Sequence, residues 1–302
     1  MTSLDDRTAG STDVARGVLD ALARWAGADA SAGPAEFHRG LLAWLRDAQA
    51  AQPAMALVHQ LAARALEVTA AGIARGDGVA DLRAEIARTC DAERSDLAAA
   101  QQSVAATAAR LVTATGGWIA TLSSSATVRD AIVRAHAAGR KPSVILAEGR
   151  PRLEGRAMAA ALADAGVPTW LVVDAALPLL ISQASMVWIG ADAVTDRGVL
   201  NKIGSYAAAL AAREHGAPVY ALASQRKFLP ATTAALRIDE MPPGEVWDAP
   251  IAGVKPRNVY FEIVPLELLR GVAVEDAVLG PAEVAIAARD RALPEELAAG
   301  LP

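Results

Sequence analysis

The chain has 302 residues, more than the ~100–200 of a typical single domain, and with 53% apolar and 21% charged residues it carries ample material for a core. Twenty-nine basic against thirty-four acidic residues leave a net charge of -5 with no long basic run, so the electrostatic footprint of a nucleic-acid binder is missing. No run of eighteen apolar residues reads as a membrane span and MTSLDDRTAG has no apolar stretch of the kind an export leader needs, so a cytoplasmic protein without membrane or nucleic-acid partners is expected.

From about Thr12 to Val112 the chain is rich in Ala, Leu, Arg and Glu, and apolar residues recur at three- and four-residue spacing, as at Leu57, Leu61, Ala65 and Val68. That periodicity predicts amphipathic helix. Breaks at Gly33-Pro34, Gln52-Pro53 and Gly76-Asp77-Gly78 divide the segment into four helices, the last running from Ala80 to Thr115. Cys90 stands alone in this region, which excludes an internal disulfide framework and a cysteine metal site and makes it a helix residue rather than a nucleophile. His38, His59 and His136 read as surface or partly packed helix residues, and the four histidines lack HxxxH or HExxH spacing, so no metal and no organic cofactor is expected.

After Gly116-Gly117 the texture changes. Short apolar runs at 118–123, 143–148, 169–174, 185–192 and 218–224, rich in Val, Ile and Trp, alternate with helical stretches at 126–139, 153–166, 176–183 and 201–215. Strands apolar on both faces that alternate with helices predict a parallel sheet covered on both sides, and VYFEIVP (259–265) is expected to extend it. The expected organisation is α/β: an N-terminal helical domain over 1–116 and a Rossmann-like sheet domain over 117–302.

Ligands of such a sheet bind beyond the carboxyl ends of the strands, so the loops near 123–126, 148–154, 174–176, 191–202 and 224–229 hold the candidate site. Ser123-Ser124-Ser125, Arg150, Asp192 with Asn201 and Lys202, and Lys227 lie in them. Ser125 is placed to cap the helix from Ala126, and Asn201 is placed as the N-cap of the 201–215 helical stretch. Cations and free amides at helix starts suit a phosphate.

In order and spacing, IATLSSSATV (119–128), EGRPRLEGR (148–156), LVVDAAL (171–177), the GAD…NKIG block within 190–228 and FEIVPLELL (261–269) resemble the superfamily that joins ribose-1,5-bisphosphate isomerase, methylthioribose-1-phosphate isomerase and the regulatory subunits of translation initiation factor 2B. The resemblance implies a phosphorylated-sugar ligand, with Asp192 catalytic, Asn201 and Lys202 holding substrate, and Arg150 at a phosphate. It also implies a homodimer formed through the α/β part, with Pro218 to Pro281 the segment to search.

One position departs from that pattern. The resemblance implies a Thr-x-Cys in the first loop, and Ser123 of Thr121-Leu122-Ser123 stands where the thiol is expected. A thiol near its ordinary pKa of about 8.5 moves protons near neutrality, whereas an unaided serine hydroxyl is far too weak an acid. Three functions follow from the same residues: aldose–ketose isomerisation by Asp192 with Ser123, a sensor of sugar phosphates or nucleoside monophosphates without turnover, and a subunit of the initiation factor itself.

Overall fold

The computed structural model describes residues 10–233, 236–249 and 251–298; the first nine and last four residues of the two expected domains lie outside the described residues. Four helices come first: α1 (Ser11–Ala28), α2 (Pro34–Ala51), α3 (Ala56–Arg75) and α4 (Val79–Ala109). Their breaks fall at the glycines and prolines, for physical reasons. Pro34 sits in the first turn of α2, where its missing N–H costs nothing, and Gly76 ends α3 in the left-handed region at φ 87°. The apolar faces meet in one core through Leu19, Phe37, Leu41, Leu57, Leu61 and Ile86. Cys90 is buried there, and desolvation pushes its thiol up to about 11, which leaves it inert.

Helix α4 ends at Ala109, six residues before the expected Thr115. Thr113 instead donates its hydroxyl to the Gly116 carbonyl at 3.0 Å and turns the chain. Gly116 passes so close to the Lys141 carbonyl that a Cβ would lie 2.3 Å from it.

The remainder runs β1 (Gly117–Leu122), α5 (Ala126–Ala137), β2 (Pro142–Ala147), α6 (Glu154–Asp164), β3 (Thr169–Val172), α7 (Leu177–Leu180), β4 (Met186–Ile189), β5 (Ala193–Val194), β6 (Gly198–Lys202), α8 (Ser205–Glu214), β7 (Val219–Leu222), β8 (Phe261–Pro265), β9 (Gly271–Ala273), β10 (Val278–Leu279), α9 (Pro281–Arg289) and α10 (Glu295–Ala298). Seven strands form one sheet in the order β10-β9-β7-β4-β1-β2-β3, parallel except for β10. Side chains alternate between its faces. Ile119, Val144 and Leu146 pack with α4, α5 and α6, whereas Ala120, Leu122 and Ile145 pack on the opposite side with α7, α8 and α9.

Two sequence expectations need correction. The 259–265 run does not extend the parallel sheet: β8 pairs antiparallel with β6, which also pairs with β5, in a separate three-stranded sheet. The parallel sheet is extended by β9 against β7 instead. Asn201 is likewise not a helix cap, because it lies in β6 opposite Glu262, and α8 starts after Gly204 at φ 101°. Gly198 permits this pairing, since a Cβ there would lie 2.5 Å from the Val264 carbonyl.

His59 is a third correction, for it is fully buried. Gln49 Nε2 lies 3.0 Å from Nδ1 and the Pro53 carbonyl 3.1 Å from Nε2, a partner set that assigns the neutral ring with its proton on Nε2. Burial pushes its pKa down from 6.5 to about 4. The unfolded chain therefore takes up this proton first, so the His59 contribution to stability is complete above pH 6.5 and is lost as the pH falls toward 4. The loss expected by pH 4 is about 3 kcal/mol, read as the change in urea-unfolding free energy from pH 7. A His59→Gln variant whose stability falls as steeply as the parent's over that window would refute the assignment.

Candidate functional site

Strand β1 lies between β2 and β4, so the connections leaving β1 and β4 run to opposite sides and their carboxyl-end loops diverge. In an open α/β sheet that reversal is where a crevice opens. Ser123-Ser124-Ser125 form one wall and Gly190-Ala191-Asp192 another, around a cleft of about 700 Å³ including its mouth. Gly190 is required by close approach: a Cβ would lie 3.0 Å from Ser125 Cβ and 3.2 Å from Asn201 Oδ1.

Ser123, Ser125, Asp192, Asn201, Lys202 and Lys227 all line this cleft. Arg150 does not. Its exposed guanidinium donates to the Val246 carbonyl at 3.4 Å, and its backbone N–H donates to Asp174 Oδ2 at 2.7 Å. Arg152 beside it pairs with Glu245 at 3.1 Å, so this loop directs both arginines toward the 245–246 segment.

Two helices open their first turns onto the cleft. Helix α5 is capped by Ser125, whose Oγ accepts from the Val128 N–H at 3.4 Å, as the sequence predicts. Helix α1 contributes Gly10, Ser11 and Thr12 and has no side-chain cap. Unpaired amides and the aligned backbone dipoles give both ends partial positive charge. Ser123, at φ 59°, occupies the left-handed region rare for a residue with a Cβ, and so turns the chain sharply out of β1.

Lys227 is buried, and its Nζ donates to the Ala191 carbonyl at 2.6 Å and to Ser11 Oγ at 2.8 Å. Burial drives the pKa of Lys227 down, against the opposing pull of Asp192. Burial raises the Asp192 carboxyl above the usual range, opposed by Lys227, the Ser11 hydroxyl and Lys202. Lys202 Nζ donates to Glu154 Oε1 at 2.8 Å and lies 4.3 Å from the centre of the Tyr260 ring. Asn201 Nδ2 donates to Ser205 Oγ at 2.8 Å, which aims the amide. Such a site can hold an anion, order hydroxyls and exchange a proton with Asp192.

Sequence reasoning missed Ser11, Glu154 and Tyr260. Glu154 lies within the EGRPRLEGR block and was legible as a loop acid, but no spacing ties it to Lys202. Ser11 is 180 residues from Ala191, whose carbonyl its hydroxyl approaches at 3.4 Å. Among the described residues no group of three or more His, Cys, Asp or Glu is arranged to hold a metal, and no helix is long and apolar enough to cross a membrane.

Fold and cleft together define an α/β protein with a polar cleft at a topological switch point. The Initiation factor 2 subunit family model matches residues 7–281, and the chain belongs to that family. It is 34% identical over 171 residues to the ribose 1,5-bisphosphate isomerase of Archaeoglobus fulgidus, a match that covers 55% of each chain. Over 231 residues it is 34% identical to the methylthioribose-1-phosphate isomerase of Cronobacter sakazakii, covering 69% of this chain and 67% of that protein. The crystal structure of the Pyrococcus horikoshii translation initiation factor eIF-2B superposes with a TM-score of 0.79 at 25% identity, covering 92% of this chain and 94% of that one.

The Asp192–Lys227 arrangement yields a stability prediction. Lys227→Met removes the buried cation and leaves a buried carboxylate without its counter-charge, which is expected to cost about 3 kcal/mol. Asp192→Asn in the same chain should restore part of that loss. Strict additivity of the two substitutions in urea unfolding would show that the groups do not interact.

Proposed function

We propose that the cleft binds a phosphorylated pentose, with its phosphate at the first turns of α1 and α5 and its hydroxyls among Asn201, Lys202 and Asp192. One observation carries the reading: two helix N-termini and two buried lysines line the same cleft as the buried Asp192 carboxyl. The ribose 1,5-bisphosphate isomerase match spans just over half of either chain, so that activity comes here as part of the proposal. Arg150 belongs to the phosphate contact only if it leaves the Val246 carbonyl.

In a pentose 1-phosphate the C1 oxygen carries the phosphate, so isomerisation breaks the ring bond between C1 and O4, moves a proton from C2 to C1, and passes the C2 hydroxyl proton to the ring oxygen, which becomes the C4 hydroxyl. Asp192 suits the proton exchange between C2 and C1, because burial moves its carboxyl up toward the working range of a general acid–base group. Ser123 stands at the cleft wall where the family resemblance implies a thiol. Its weak acidity favours a second reading, ligand binding without turnover. The large apolar side chains exposed between residues 218 and 281, among them Trp247, Ile251, Val254 and Ile263, support self-association of this part of the chain.

Three measurements follow. Ribose 1-phosphate at a hundred times its Kd is expected to stabilise the protein by about 2.7 kcal/mol, seen as a rise in Tm of a few degrees. No shift with sugar phosphates or nucleoside monophosphates would sink the binding proposal. Ser123→Cys is expected to raise isomerase turnover by about 10²–10⁴, and absence of product with both forms would leave the sensor reading. Light scattering at micromolar concentration should report a dimer, and a monomer would refute self-association.

A further inference from the structure

The lysines of the chain are Lys141, Lys202, Lys227 and Lys255. Lys141 and Lys255 are exposed, whereas Lys202 and Lys227 are buried in the wall of the cleft. The two cleft lysines are held differently. Lys202 Nζ lies 2.8 Å from the Glu154 carboxylate and 4.3 Å from the centre of the Tyr260 ring, surroundings that favour the ammonium form. Lys227 Nζ touches two neutral oxygens, the Ala191 carbonyl at 2.6 Å and Ser11 Oγ at 2.8 Å, and among the described residues no carboxylate pairs with it directly.

An ammonium has three N–H donors and a neutral amine has two. Loss of one proton therefore costs Lys227 neither of its hydrogen bonds and leaves a lone pair in the remaining tetrahedral direction. Burial acts the same way, since it drives the pKa of Lys227 down. A desolvated lysine amine is a nucleophile toward carbonyl carbon. Asp192 lines the same cleft, and burial raises its carboxyl, which suits it to take that proton and give it back.

We propose that Lys227 captures the open-chain aldehyde of a pentose phosphate as an imine, an assignment that rests on the phosphorylated-pentose reading of the cleft and extends it to sugars whose phosphate is not on C1. Asp192 takes one proton from the ammonium. The amine lone pair then bonds to C1 while the C1–oxygen π pair moves onto oxygen, and a second proton passes from nitrogen to that oxygen. Asp192 returns its proton to the new hydroxyl, which leaves as water as the C–N double bond forms. Aldehyde and ammonium become protonated imine and water, and Asp192 ends as it began. The positive charge stays in the field of Asp192, and hydrolysis reverses the capture. A pentose with its phosphate on C1 has no free aldehyde and occupies the cleft without this bond.

Reductive trapping tests the assignment. The full chain is incubated with ribose 5-phosphate and sodium cyanoborohydride, which reduces an imine to a stable secondary amine, and the adduct is located by peptide mass mapping. A gain of the mass of the sugar phosphate less one oxygen is expected at Lys227, about tenfold faster than at Lys141 or Lys255, because binding holds the aldehyde against one amine. Ribose 1-phosphate is expected to form no adduct and to slow the labelling of Lys227, and unfolding in urea should level the four lysines. Labelling of the folded chain that is even over its lysines, or concentrated at Lys202, overturns the inference. So does labelling of Lys227 that ribose 1-phosphate leaves untouched. If ribose 1-phosphate raises Tm but ribose 5-phosphate leaves Lys227 unlabelled, this inference alone falls; if neither compound shifts Tm, the pentose reading falls and takes it along.

Discussion

Helix α4 belongs to two hydrophobic cores at once, and the geometry of the cleft depends on that sharing. Its first two thirds, through Leu82, Ile86 and Leu97, pack among the N-terminal helices, while Val104, Ala105 and Ala108 pack on the sheet. A close-packed interior transmits position faithfully, so α4 fixes where the helical layer sits above the strand ends. It also holds the loop after β7 directly: Glu93 pairs with Arg226, next to Lys227, and the Thr107 hydroxyl donates to the Glu275 carbonyl at 2.9 Å. Glu275 in turn accepts from the Gln225 N–H at 3.1 Å. With both layers so fixed, the first turn of α1 comes down on Lys227 and Ala191 and closes the cleft from above.

The chemistry of the cleft is a contest between burial and pairing. Desolvation acts to neutralise both Asp192 and Lys227, and each opposes that effect in the other through its charge. Neither lysine of the cleft is left to water: Lys227 is satisfied by a carbonyl and a hydroxyl, and Lys202 by Glu154 and the face of Tyr260. The result is a carboxyl shifted up from its ordinary range within reach of two cations. Ser123, where the family resemblance implies a thiol, contributes a hydroxyl that is a far weaker acid.

Much of this was legible in the sequence. The helical periodicity around Leu57 to Val68 and the Gly and Pro breaks marked all four N-terminal helices, because those residue types act through local backbone sterics. The apolar runs marked every strand of the parallel sheet up to β7, and the loops that follow them held the six candidate residues that line the cleft, Ser123, Ser125, Asp192, Asn201, Lys202 and Lys227. What failed did so for lack of local information. Strands β5 and β6 are two and five residues long and sit inside a segment with the turn residues Asp196, Arg197 and Gly198, so the NKIG stretch read as a helix start. His59 carries no local mark of burial, since its partners Gln49 and Pro53 are polar groups supplied by a helix end and a loop.

The sequence by itself determined the class of fold, the family, and the loops that line the cleft, because propensity, periodicity and turn chemistry are properties of neighbouring residues. Only the tertiary structure decided which of those loop residues face one another. It placed Arg150 against Val246, outside the cleft, and brought in Ser11 from the far end of the chain and Glu154 from the start of α6. It also set a second cavity, walled by Met55, Tyr260 and Phe261, beside the cleft. Those outcomes depend on packing between segments a hundred or more residues apart, and no local pattern records them.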